Sequence, residues 1–183
     1  MRIPIEQLKD SRIALDFEQP ADRFPALRRT PAGVDGDFAG PVRTSVTAER
    51  IGEMVEVRGH AQAVARQCCG RCLAEFDAVV EADFELTYAR RSEGPGGAPD
   101  PQWPDPAADD GIAYFHGDEI DLTAGVQEHL ILALPLRPLC RVSCKGLCAR
   151  CGADLNPGPC ACADTPDDGP FAALKRLKGS DTA

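Results

Sequence analysis

The sequence predicts an α+β fold: an antiparallel β-sheet body with one packed helix, a Cys-rich extension and a short C-terminal helix. Three observations carry this. Segments 42–49, 54–66 and 76–89 alternate apolar and polar residues and are rich in Val, Thr and Phe, the period-two pattern of strands with one wet face. Leu122, Val126, Leu130 and Leu134 recur every four residues, which is one face of a helix. Six of the nine cysteines fall within residues 140–162, too many for a chance cluster.

In chain order, residues 2–17 mix alternating and apolar pieces and predict one or two strands with a turn at Asp10-Ser11. Residues 19–41 shift to Pro, Gly and Ala, which predicts a long irregular connection. Three antiparallel strands follow, joined by a hairpin turn at Ile51-Gly52-Glu53 and by the stretch CCGRCLAE. Residues 91–111 hold four glycines, five prolines and four aspartates; such a composition buries too little surface to order itself, so a mobile insert is expected, with Trp103 its only anchor. IAYFHGDEIDL then predicts a fourth strand, and the helix runs over 123–134 until Pro135 ends it. The tail helix starts at Pro170, carries an apolar stripe of Phe171, Leu174 and Leu177, and stops at Gly179. Three units result: a body over 1–139, a Cys-rich segment over 140–163 and a tail over 164–183.

Composition bounds the function. A chain of 183 residues with 43% hydrophobic residues can bury a core without disulfide staples. The charges in MRIPIEQLKDSRIALDFEQP interrupt any signal-peptide core, and no stretch approaches a membrane span. A cytoplasmic protein is therefore expected, with no membrane contact. The net charge of −9 lacks the basic footprint of an autonomous nucleic-acid binder, so any RNA contact must be local or made through a protein partner.

In a reducing compartment clustered cysteines are metal ligands or catalytic thiols more often than disulfides. Eight of the nine form four short-spaced pairs: Cys69-Cys72, Cys140-Cys144, Cys148-Cys151 and Cys160-Cys162, with Cys68 left over as a buried small hydrophobe. Four thiolates complete the tetrahedral shell of a structural zinc, so one or two zinc ions are expected. Cys148-Ala-Arg-Cys151-Gly152 has the form of a zinc knuckle, its glycine allowing a sharp bend after the second ligand. Cys160 and Cys162 are its natural partners. Joining Cys69 and Cys72 to Cys140 and Cys144 closes 67 intervening residues; this costs roughly 4 kcal/mol against about 10–16 kcal/mol from structural zinc. A swapped partition of the pairs is equally compatible with the spacing.

Arg137, Arg141, Lys145 and Arg150 stand in a stretch without acidic residues. They suit either hydrogen bonding to thiolates or contact with RNA phosphate, as do Lys175, Arg176 and Lys178 in the tail. A thiol-disulfide oxidoreductase using Cys69 and Cys72 is the enzymatic alternative, although that chemistry favours a helix start behind a buried strand and this CxxC sits in a hairpin connection. No phosphate loop or HExxH is present. His60, on a strand, and His129, on the polar side of the helix, read as structural or solvated.

The run GDEIDLTAGVQEHLILALPLRPLC followed by CKGLCARCGADLN, with CGRCLAEF upstream and ALKRL near the end, resembles the bacterial YceD family, named for large ribosomal RNA subunit accumulation. The similarity covers about residues 40–178. It implies a non-enzymatic protein needed for synthesis, processing or stability of 23S ribosomal RNA, working with a ribosomal protein or a large-subunit precursor and with no small-molecule substrate. The family's motif cysteines correspond to Cys69, Cys72, Cys140, Cys144, Cys148 and Cys151. A zinc-dependent interaction module unrelated to ribosomes is the remaining alternative.

Overall fold

The structure, a computed structural model, describes residues 1–8, 12–28, 37–90 and 111–162. The predicted turn at Asp10-Ser11, nearly all of the 91–111 insert with Trp103, and the tail helix with Lys175, Arg176 and Lys178 lie outside them.

A five-stranded sheet forms the body. Its strands are β2 (Ile13–Pro20), β3 (Asp37–Ile51), β4 (Met54–Cys68), β5 (Glu75–Arg90) and β6 (Ile112–Phe115), in that spatial order, whereas β1 (Arg2–Pro4) pairs separately with β7 (Glu119–Asp121). β2 to β5 make an antiparallel meander: a two-residue turn joins β3 to β4, the six residues 69–74 join β4 to β5, and the longer stretch 21–36 joins β2 to β3. Ile51 pairs with Met54, and only Gly52 of the two turn residues has a positive φ, 64°, as a II′ hairpin turn requires.

Alternation decides what each face does. Val42, Thr44, Val46 and Ala48 of β3, Val55, Val57, Ala61, Ala63 and Ala65 of β4, and Val80, Ala82, Phe84 and Tyr88 of β5 are all buried on one face. On the other face, directly opposed polar residues pair across β4 and β5: Arg58 with Glu85 at 3.2 Å, His60 with Asp83 at 2.8 Å, Gln62 with Glu81 at 2.7 Å and Arg66 with Asp77 at 3.1 Å. Those wet-face pairs contribute little stability individually; they penalise a slip of register, which would put charges into the core.

The helix α1 (Thr123–Leu132) covers the buried face with Val126 and Leu130, and the N-terminal Ile3, Leu8, Phe24 and Leu27 fill in beside it. Two glycines set how closely layers approach. A Cβ on Gly125 would collide with the Leu86 side chain, and one on Gly59 would stand 2.5 Å from Phe84 Cζ and 2.8 Å from Ser45 O.

Several expectations are corrected. The segment 112–122 is not one strand: β6 pairs parallel to β5 (Thr87 with Ile112, Ala89 with Tyr114), Gly117 turns at φ 77°, and β7 leaves the sheet for β1. Parallel pairing needs a long crossover, and the 91–111 stretch has the length for one. The region 19–41 is more regular than its composition suggests. β2 runs on to Pro20 and β3 starts at Asp37, with 3₁₀ turns at Ala21–Arg23 and Pro25–Arg28. Pro41 lacks an N–H in a strand flanked on both sides, so the β3–β4 register shifts between Ala39 and Arg43, where Gly40 takes φ 76°. The helix ends at Leu132, not 134: the Leu134 N–H turns to Ile131 O at 3.2 Å, a tightened last turn before Pro135. His129 is not on a polar face; its ring lies 5.7 Å from that of Phe84 and its Nδ1 is 2.9 Å from Gly125 O.

Gly59→Ala is expected to destabilise the fold by about 1–3 kcal/mol through overpacking against Phe84, although alanine suits a strand better than glycine. Urea unfolding of the two forms checks this.

Candidate metal centres

The strand β4 ends at Cys68, and the six residues 69–74 that return the chain into β5 form a tight knuckle. The Cys69 N–H donates to Ala74 O at 2.9 Å and the Leu73 N–H to Cys69 O at 2.9 Å. Residues 148–153 repeat this geometry. The Cys148 N–H donates to Ala153 O at 2.8 Å and the Gly152 N–H to Cys148 O at 2.9 Å. Leu73 and Gly152, the residues after the second cysteine, take φ 59° and 70°. Comparing CGRCLA with CARCGA shows why: the chain uses the turn C-x-R-C-x-A twice. That shared pattern was the signal available in the sequence for matching the two turns, and only the second turn carries the expected glycine.

Each knuckle aims two sulfurs at a second pair. Cys69 Sγ lies 3.8 Å from Cys144 Sγ and Cys72 Sγ lies 3.7 Å from Cys140 Sγ. In the other group Cys148 and Cys160 Sγ are 3.4 Å apart. Within each group of four, Cys69, Cys72, Cys140 and Cys144 or Cys148, Cys151, Cys160 and Cys162, all sulfurs lie within 4.8 Å of one another. Four sulfurs about 2.3 Å from one tetrahedral ion stand about 3.8 Å apart, so each group could hold a single metal ion. Of the partitions that the spacing allowed, the sulfurs adopt the one pairing 69/72 with 140/144 and 148/151 with 160/162.

The two groups differ in surroundings. Cys69, Cys72 and Cys144 are buried and packed by Phe76, Leu139 and Leu147, whereas Cys151 is exposed and its three partners are half-buried. Arg71 clamps the first group from outside, its Nη1 donating to Cys144 O at 2.9 Å and Val142 O at 3.4 Å. Gly146, at φ 74°, sits where a Cβ would come within 3.0 Å of Arg71 O. The loop of the second group reaches back to the first. Asn156 accepts from the Lys145 N–H at 3.0 Å, and its Nδ2 donates to Cys144 Sγ at 3.5 Å.

Backbone amides choose which sulfur carries charge. Amides of Cys140 and Cys72 bring the Cys69 thiol down to about 6, and those of Cys151 and Arg150 bring Cys148 to about 6. Cys140 is pushed up to about 12 by desolvation, and Cys162 to about 12 by its hydrogen bond with Cys151. The Asn156 amide lowers Cys144. Hydrogen bonds thus favour charge on Cys69, Cys144 and Cys148, while burial or a neighbouring thiol disfavours it on Cys140 and Cys162, a mixture that a shared cation would even out.

Other sequence-derived candidates fall as follows. Arg137, Arg141, Lys145 and Arg150 are exposed around the two groups, and the Arg150 N–H lies 3.4 Å from Cys148 Sγ. Cys68 is not buried as expected. It is half-buried, its thiol 3.4 Å from Leu73 O, because the strand's alternation turns it away from the pocket that Cys69 enters.

Leu73 is 64% exposed and holds a left-handed backbone that glycine adopts without strain. Leu73→Gly is therefore expected to raise stability by up to about 1 kcal/mol, the relief of strain exceeding the added unfolded-state entropy; thermal unfolding measures it.

Comparison with known proteins places these groups in context. The family model described as "Large ribosomal RNA subunit accumulation protein YceD" matches residues 57–178, a stretch containing all nine cysteines. A chloroplastic large ribosomal RNA subunit accumulation protein YCED homolog 1 of Arabidopsis thaliana is 24% identical over 95% of this chain and 60% of its own length. Its Zea mays counterpart is 28% identical over 80% of this chain and 59% of its length. An uncharacterized protein of Mycobacterium tuberculosis strain H37Rv is 29% identical over 61% of this chain and 50% of its length. The chain thus spans between half and three fifths of the length of these curated relatives. No solved structure matches it. With two thirds of its residues inside the family model, the two tetracysteine groups among them, the chain belongs to the YceD family, named for large ribosomal RNA subunit accumulation.

Proposed function

We propose that this chain is a non-enzymatic factor supporting synthesis, processing or stability of large-subunit (23S) ribosomal RNA, built around two structural zinc ions. One ion is held by Cys69, Cys72, Cys140 and Cys144 and the other by Cys148, Cys151, Cys160 and Cys162. The observation that carries this is the pair of tetracysteine groups lying inside the stretch that matches the family. All-sulfur tetrahedral donor sets suit zinc, which is redox-inert and closes such a site without an open position for substrate. Zinc supplies cross-links here and no reaction step.

The surroundings of Cys69 and Cys72 support scaffold over redox work. A dithiol active site presents one accessible thiolate, whereas Cys69 is 0% exposed and shares its pocket with three other sulfurs. The chain's net charge of −9 favours a basic protein partner, such as a ribosomal protein on a large-subunit precursor, over naked RNA. No helix among the described residues is long and apolar enough to cross a membrane; a cytoplasmic location remains our reading. So does the division into a body over 1–139, a knuckle segment over 140–163 and a tail over 164–183.

Metal analysis of the purified chain is expected to return two zinc ions, and Cys160→Ser/Cys162→Ser one; a metal-free native protein would sink the scaffold reading. Asn156→Ala is expected to weaken zinc at the first group by about 10–100-fold, the usual effect of losing a ligand's hydrogen-bond partner, read by competition with a chromophoric chelator. For function, a lysate is sedimented through a density gradient at low and high salt. Migration with large-subunit precursors, and a fall of 23S relative to 16S ribosomal RNA when the chain is depleted, are expected. A protein found only at the top at low salt, with an unchanged ratio on depletion, would favour a zinc module without a ribosomal role.

A further inference from the structure

Residues 136–142 form a loop pinned from one side and bare on the other. Both pins come from the first knuckle. The Gly70 N–H donates to Pro138 O at 2.8 Å, and Arg71 Nη1 reaches Val142 O at 3.4 Å. Between them Cys140 enters the first sulfur group, 3.7 Å from Cys72. A loop fixed in this way has little freedom left to lose when something binds it.

What it holds out is apolar. Leu136 is 96% and Val142 93% exposed, the highest values among the exposed large hydrophobic residues described. Beside each stands an exposed arginine, Arg137 and Arg141, and neither has an acidic partner among the described residues. In a chain of net charge −9, no Asp or Glu occurs from Leu130 through Ala153.

We infer that this loop is a docking surface for a protein partner that offers an apolar pocket rimmed by carboxylates, a local acidic patch that a partner of basic overall charge can also carry. Aliphatic side chains presented on a rigid loop fill pockets, and each guanidinium can take a carboxylate through two parallel hydrogen bonds. RNA phosphate would also attract the arginines. However, surfaces that bind single-stranded RNA supply aromatic faces for the bases, and residues 116–162 contain no Phe, Tyr or Trp. An RNA strand would leave Leu136 and Val142 without a partner. This surface rests on the proposed metal reading, because an ion shared by Cys140 and Cys144 with the first knuckle would lock the two hydrogen bonds that pin the loop.

The test is site-specific photo-crosslinking in cells of the full chain, with the probe residue at position 136, 142 or, as a control on the wet sheet face, 79. Expected are protein adducts from 136 and 142 but not from 79, on a partner peptide adjoining Asp or Glu. The adducts should fall about tenfold in Arg137→Glu/Arg141→Glu, with zinc content unchanged. An RNA adduct, an adduct to residues 163–183 of the same chain, an adduct indifferent to the charge reversal, or none at all overturns the proposal. Zinc assayed on the same material separates the two readings. With two ions bound and no adduct, the docking surface alone falls; without zinc and without adduct, both fall.

Discussion

The convergence of Cys69 and Cys72 with Cys140 and Cys144 is the constraint on which the rest of the structure depends. These pairs are separated by 67 residues, and everything between them is arranged so that they meet. The knuckle 69–74 takes the place of an ordinary turn between the two long strands β4 and β5, which carries its sulfurs to the far end of the sheet. The chain then crosses to β6, runs back through β7 and lays α1 over the buried face, so that the segment after Pro135 arrives at that same end. Closing so long a loop costs roughly 4 kcal/mol of chain entropy. That cost is offset by the apolar burial of α1 on the sheet and, on the zinc reading, by an ion shared among the four sulfurs.

The one-sided sheet makes the approach of α1 possible. Gly59 leaves a hollow under Phe84 and Gly125 leaves room for Leu86, so the helix and the inner strand face come together at β5. Phe84 in turn supports the His129 ring. A tilt or lift of α1 at this contact would displace Leu134 and the 136–144 segment together, and with them two of the four sulfurs. Packing in the body thus has a direct consequence at the first sulfur group, through one rigid helix and a short proline-bounded link.

Much of this was legible in the sequence because it is local. The three long strands, the hairpin at Gly52 and the helix face of Leu122, Val126 and Leu130 each announce themselves within a dozen residues. The cysteine pairs were legible as pairs for the same reason. What spacing could not decide was which pair meets which, since that is set by where β4 ends and where α1 points. The split of 112–122 between a parallel strand and β7 was hidden too: parallel pairing has no periodic signature, and β7 exists because residues 2–4 are there to receive it. Pro20 and Pro41 suggested a loop where the structure accommodates them opposite each other, one on an edge strand and one at a bulge. Leu73 concealed the repeated knuckle, because a leucine stands where its counterpart has Gly152.

The two sulfur groups are not equivalent, and their difference orders their roles. The first is wrapped by Phe76, Leu139 and Leu147 and joins distant parts of the chain; the second lies open at Cys151 and closes only the eight residues 152–159 between its two pairs. Desolvated thiolates depend more on hydrogen bonds than exposed ones do, and one bond to the first group comes from Asn156, a residue of the second group's loop. On the zinc reading an ion at the second site orders that loop and so holds Asn156 against Cys144. The exposed site then acts as a brace for the buried one, while the buried one fixes the loop carrying Leu136 and Val142. On these readings the dependence runs from the second sulfur group through Asn156 to the first, and on to the loop proposed to meet a partner, which gives the second group a role in a fold that the first already closes.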